Sequence, residues 1–445
     1  MRRSGIAFGR SCAVLTALSP CAALAQDGGV LLTFGIENRI EVVRNDALSV
    51  PGTGTDISNA TALSFGLLAE TQIDRLSFAA TGAAIIENTS GLGTEFDFGE
   101  TEITLEYHRE VPAAVLDLTA ALRNDDIGTF DDLADVDETG TRTEISLGAR
   151  LETGRTSVLG LAVGLGYSQT DYQNASDPDL VDNTEVRGDA AVILHFSEVA
   201  TGRLGLRYSE REEESPGSTV TETLTSFAGL DYSVSERLDL TAELGYSEIE
   251  TEDFGIIDRV TGPDLRLGAT YDLPVGTASA ALRITQDTDE GERTTFEIGR
   301  DFETPVNTVS ARLGVTRGDV TGTDVVGSLV WSRTLPDGSL GLELESRVTF
   351  DDEADEEVET ASIGVNWLKN ISDVATISLD VTYEQRDSTS ESIDQVTFGA
   401  GYTQRLTQDW NLDTGVGYRV RDDADGRATS PSVYVALSRE FQLRP

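Results

Sequence analysis

The sequence predicts an all-β protein, a transmembrane antiparallel up-and-down β-barrel of about 22 strands, within a range of roughly 18 to 24. Three observations predict it. Apolar and polar residues alternate with period two along most of the chain. The alternating runs persist for about ten residues, enough for a tilted strand to cross a bilayer and longer than the ordinary strand of about five or six. The connections alternate between short and long, as in outer-membrane barrels, where periplasmic turns are short and external loops long.

Arg2, Arg3 and Arg10 open the chain, and a weakly apolar stretch from Cys12 to Leu24 closes on Ala23-Leu24-Ala25 before Gln26. This is the layout of a secretory signal peptide. Residues 1–25 are therefore expected to be a signal peptide and 26–445 the barrel. A lipoprotein start at Cys21 is the rival reading, and Pro20 directly before it argues against that. Both cysteines fall in the segment expected to be removed. The mature chain then has no disulfide and no thiolate metal site.

Lys and Arg number 33 against 78 Asp and Glu, a net charge of −45. Such a surface repels nucleic acid, so a nucleic-acid role is set aside. High charge can also mean disorder, but 39% of residues are hydrophobic and they are regularly placed. No segment after the N-terminal one approaches about 18 consecutive apolar residues, so no transmembrane helix is expected.

The strands are legible one by one. Ala375, Ile377, Leu379, Val381 and Tyr383 alternate with Thr376, Ser378, Asp380, Thr382 and Glu384. Leu340, Leu342 and Leu344 alternate with Gly341, Glu343 and Glu345, and Leu238, Leu240, Ala242, Leu244 and Tyr246 with Asp239, Thr241, Glu243, Gly245 and Ser247. Leu412, Thr414, Val416 and Tyr418 alternate with Asp413, Gly415, Gly417 and Arg419. Period two gives one apolar and one polar face. Short connections are expected at Ile73-Asp74, Val111-Pro112, Gly154-Arg155, Glu198-Val199, Ser235-Glu236, Leu273-Pro274, Thr304-Pro305, Pro336-Asp337, Ile371-Ser372 and Gln408-Asp409. An even strand count puts both termini on the periplasmic side, and an unpaired edge in lipid is costly enough that the sheet should close.

Tyrosines end several apolar runs. Tyr167, Tyr208, Tyr246, Tyr383, Tyr402 and Tyr418, with Trp367, are the candidates for an aromatic girdle at the membrane interfaces. Ordinary β-propensity of tyrosine is the plainer explanation, and the position at run ends favours the girdle.

The opening strand, from Thr33-Phe34-Gly35 through Arg39-Ile40-Glu41 to Asn45-Asp46, and the hairpin cadence resemble the β-barrel porin 2 group of Proteobacteria. The terminal run from Tyr434 to Phe441 is similar to the C-terminal signal read by the barrel-assembly machinery, although Gln442 to Pro445 follow the aromatic. The resemblance implies an outer-membrane barrel inserted by that machinery.

The polar faces carry the candidate site. Arg203, Arg207, Arg283, Arg312, Arg347 and Arg419 fall on them, as do Asp239, Glu243, Glu343, Glu345, Asp380, Glu384 and Asp413. Lining a pore, these fixed charges would sort solutes by charge and dipole, with acids in excess favouring cations. Cross-strand charge pairing inside a wide barrel is the alternative role. Acidic clusters fall in the long connections: Asp125 to Glu138, Glu212 to Glu214, Asp287 to Glu290, Asp351 to Glu357, and Asp422 to Asp425. Carboxylates there can bind the divalent ions that lipopolysaccharide needs, yet none has the glycine-bearing spacing of a calcium loop. Solvated loops are the simpler account.

His108 and His195 are the only histidines, each near a short turn, with no serine and acid in recognisable spacing. No enzyme activity, cofactor or metal centre is expected. The leading functional expectation is a porin-like channel for passive diffusion of small hydrophilic solutes, with outer-membrane lipid and lipopolysaccharide as the expected partners. The alternative is a non-conducting surface barrel whose acidic loops bind cations, matrix or polysaccharide. The first strand begins soon after Gln26, which leaves no room for an N-terminal plug and argues against a TonB-dependent receptor. A channel would need a long connection able to fold inward, and residues 124–141 are the best candidate.

Overall fold

The computed structural model describes residues 29–89, 93–127, 140–175, 180–214, 218–286, 291–318, 322–351, 356–388, 392–424 and 426–444. The expected signal peptide, most of the 124–141 connection and the acidic residues 131–138, 287–290, 352–355 and 425 lie outside them.

The strands run in order. The first seven are β1 (Gly29–Arg44), β2 (Thr55–Glu70), β3 (Asp74–Thr89), β4 (Gly93–Val111), β5 (Ala114–Asp126), β6 (Thr141–Thr153) and β7 (Leu159–Gln173). Next come β8 (Asn183–Ser197), β9 (Ala200–Glu213), β10 (Thr219–Ser235), β11 (Leu238–Asp253), β12 (Ile256–Asp272), β13 (Thr277–Gln286), β14 (Glu292–Glu303) and β15 (Asn307–Gly318). The last are β16 (Gly322–Leu335), β17 (Gly338–Asp351), β18 (Glu356–Ser372), β19 (Ala375–Asp387), β20 (Ser392–Arg405), β21 (Trp410–Asp423) and β22 (Gly426–Leu443). All 22 belong to one sheet. Each pairs antiparallel with its successor, and β22 pairs with β1 from Leu32↔Leu443 to Val43↔Ser432, which closes the ring. Among the described residues no helix is long and apolar enough to cross a membrane, so any crossing is by strands.

The short connections fall within two residues of the positions read from the sequence. Their chemistry is local. A hydroxyl at the end of a strand accepts a backbone N–H two or three residues on. Thr71 Oγ1 accepts from Asp74 at 2.9 Å, Thr304 Oγ1 from Asn307 at 2.9 Å, and Ser372 Oγ from Val374 at 3.3 Å. Gly276, at φ 75°, turns β12 into β13, and a Cβ there would meet the Asp301 carbonyl oxygen at 2.0 Å.

The core is not inside the ring in the usual sense. The apolar face is turned outward: Leu165 is 65% exposed, Leu244 63%, Leu313 58% and Val325 64%. A continuous belt of this kind is unfavourable in water and suits hydrocarbon, where a closed ladder also leaves no backbone group unpaired. The polar face therefore points inward.

Candidate functional site

Strand parity carries the charged candidates to the inner wall, and the side chains there divide into two arcs. On β9 to β15 most of the candidate arginines are matched. Arg203 Nη2 lies 2.9 Å from Asp231, Arg207 Nη2 2.8 Å from Glu243, and Arg266 Nη2 3.2 Å from Asp264. Arg207 also stacks 4.0 Å over the Phe227 ring. Arg312 grips Asp301 with both terminal nitrogens at 3.0 Å, a bidentate geometry that holds the side chain along the wall. Arg283 stands directly opposite Arg266 across β12 and β13 and has no ion pair among the described residues. Asp239 accepts a hydrogen bond of 2.6 Å from Ser233, beside the β10–β11 turn.

The second arc, on β17 to β22 and β1, is different. Glu343, Glu345, Asp380 and Asp413 have no ion-pair partner among the described residues. Asp413 accepts 2.6 Å from the Thr403 hydroxyl. The Asp380 carboxylate lies across Gly399, where a Cβ would sit 2.3 Å from its oxygen. The Tyr434 ring covers Gly415 in the same way, and Arg39 stacks 3.9 Å over it while pairing with Glu41 at 2.9 Å. Glu37 shares the inner face of β1, two residues from Arg39. Glu384 sits between Ser362 and Gln395, and Arg347 opposite Thr360. Arg419 reaches away from the wall, to Asp46 of the β1–β2 connection at 2.6 Å.

The aromatic candidates are on the outer face. Tyr208 OH donates to Glu210 at 2.5 Å, Tyr383 OH to Asp394 at 2.5 Å, Tyr167 OH to Gln169 at 2.9 Å and Tyr402 OH to Gln404 at 3.2 Å. Tyr246 and Tyr418 are exposed and Trp367 is half-buried. A tyrosine followed two residues later by a polar acceptor on the same face is the recurring unit.

The sequence missed two things. Asp117 Oδ1 lies 2.6 Å from His108 Nδ1 across the β4–β5 pair, so an acid does accompany that histidine. Asn45 and Asp46 read as the end of the first strand, yet they turn inward. Among the described residues no group of three or more His, Cys, Asp or Glu side chains converges as a metal centre.

No protein-family model matches the chain, and no curated protein does. Solved structures do. The copper transporter OprC superposes with a TM-score of 0.60 at 12% identity, over 93% of this chain and 80% of that one. The FrpB iron transporter of Neisseria meningitidis gives 0.60 at 8%, over 94% and 82%. The ferric enterobactin receptor PfeA of Pseudomonas aeruginosa gives 0.57 at 14%, over 94% and 81%. These barrels correct the expectation of a passive porin-like channel, because the walls that match are those of metal and siderophore transporters and receptors, not diffusion porins. The surface-barrel alternative gains nothing from them. No family match extends the likeness to the porin 2 group. The chain has the fold of a closed 22-stranded outer-membrane β-barrel.

Proposed function

We propose that the protein is an outer-membrane transport barrel that admits a small cationic or metal-bearing solute selectively. In this reading residues 1–25 direct export, the barrel-assembly machinery inserts the ring, and lipid and lipopolysaccharide surround a belt bounded by the tyrosines and Trp367. The observation that carries the proposal is the uneven inner wall. Its arginines are largely neutralised by partners on β9 to β15. Glu343, Glu345, Asp380 and Asp413 on the other arc are left to face the lumen with uncompensated charge. In a water-filled space walled by low-dielectric protein, that arc concentrates cations and holds their positive groups. The copper and iron named for the structural neighbours are cargo of that kind.

Uptake by intact cells tests it. Cells with the protein are compared with cells lacking it, for copper, for ferric chelates and for a neutral sugar. The expected result is saturable uptake of a metal species that depends on the protein. Combined Glu343→Gln, Glu345→Gln and Asp380→Asn is expected to lower it several-fold while leaving folded barrel in the membrane. Uptake that rises linearly with concentration and ignores charge would overturn the proposal.

A further inference from the structure

The β1–β2 connection, residues 45–54, folds toward the lumen rather than away from the barrel. Asn45 and Leu48 take left-handed conformations, φ 54° and 48°, which turn the chain at the end of β1. The base of the loop is closed by Asn45 N donating to Gly54 O at 2.7 Å. The Asn45 side chain then organises the rest. Its Oδ1 accepts from Thr53 N at 2.9 Å, and its Nδ2 donates to Ser49 O at 3.2 Å and to Thr429 O of β22 at 3.3 Å.

The loop is fastened to the wall one strand further on. Arg419 of β21 donates from Nη2 to Asp46 Oδ1 at 2.6 Å, to Asp46 O at 3.0 Å and to Ser430 Oγ at 3.4 Å. The wall on this arc is closely covered. Ile393 and Ser430 are 1% exposed, and Leu48, Asp46 and Ala428 are buried with them. Ile393 is an apolar side chain at a polar-face position of β20, a place that favours cover over water.

We infer that this loop is a strap docked on the lumen side of the outer mouth, latched by Asp46 and Arg419, and that it docks and releases with pH to change the width of the opening. The inference holds whatever solute crosses, so its failure and that of the transport proposal are separate outcomes. Three charged groups bear on Asp46: Arg419 from β21, Glu41 from β1 and Asp56 from β2. Burial, the largest influence, pushes the Asp46 carboxyl up to about 6; Arg419 pulls it down, and Glu41 and Asp56 add to the rise. The sign follows from linkage. The docked loop holds a proton more tightly than the free loop. Docking is fully supported below the ordinary carboxyl range and weakens as pH rises through about 6.

Hydrogen exchange of the full barrel in detergent, at about pH 5 and about pH 8, reads the latch as protection factors over residues 43–56. Wild type is expected to be better protected at the lower pH. Arg419→Met leaves a buried carboxylate without its counter-charge, so protection falls about tenfold or more at the higher pH and returns in acid, where a neutral Asp46 needs no partner. Asp46→Asn keeps the strap docked and removes the pH dependence. Unchanged β10–β11 protection shows that each variant folds. The opening is read with Thr382→Cys, a lone inward cysteine, labelled by a bulky external maleimide at the higher pH; adding Arg419→Met is expected to speed labelling several-fold. Wild-type exchange in Arg419→Met at the higher pH, protection that drops on acidification, or labelling that ignores Arg419 would each overturn the inference.

Discussion

Side-chain parity sorts residues between two solvents. Glu243 and Leu244 are neighbours in sequence, yet one pairs with Arg207 and Arg266 inside the ring and the other stands 63% exposed outside it. Leu244→Arg is therefore expected to cost about 2–4 kcal/mol in lipid vesicles, with Thr241→Arg on the polar face costing less than about 1 kcal/mol. Urea titration of the refolded barrel compares the two, and equal costs would contradict the assignment of faces. The alternation itself was legible in the sequence. Partnership was not, because it depends on which strand stands two places away. Arg207 finds Glu243 across an intervening strand, and Arg419 finds Asp46 at a separation of 373 residues. No local spacing announces either contact.

At the scale of elements, the ten short turns were readable because their chemistry is local. A strand-end hydroxyl, a proline or a glycine marks each one. The inward course of the β1–β2 connection was not, since a ten-residue polar loop looks the same whether it leaves the barrel or enters it. The seam is the element pair with the longest separation in the chain. Val435 stands opposite Ile40 there and opposite Thr414 on its other side. Val435→Pro removes a ladder donor and puts a ring into a strand paired on both edges. Unheated electrophoresis, in which a folded barrel migrates faster than the unfolded chain, is expected to show most of this variant unfolded. A normal folded fraction would mean that the seam tolerates the break.

The molecule as a whole inverts the usual globular arrangement, and the sequence said so through period two, run length and turn cadence together. The count of 22 strands followed from them. What did not follow was the pairing of the inner-wall charges. Which of them are compensated is a property of the assembled ring and not of any strand. The wall also predicts behaviour in solution. Stripping detergent from the purified barrel exposes the belt to water and is expected to give aggregates with retained β-structure by circular dichroism. A dispersed monomer after detergent removal would mean that the belt is covered by something other than lipid.

The mating of the first strand with the last has a consequence for manufacture. Until Leu443 has been delivered, Leu32 is paired on one edge only, with Leu67, so a shorter chain has no closed intermediate in which to rest. Every shorter product keeps a raw flank of unmet amides and carbonyls. Closure of the ring therefore has to wait for the entire polypeptide.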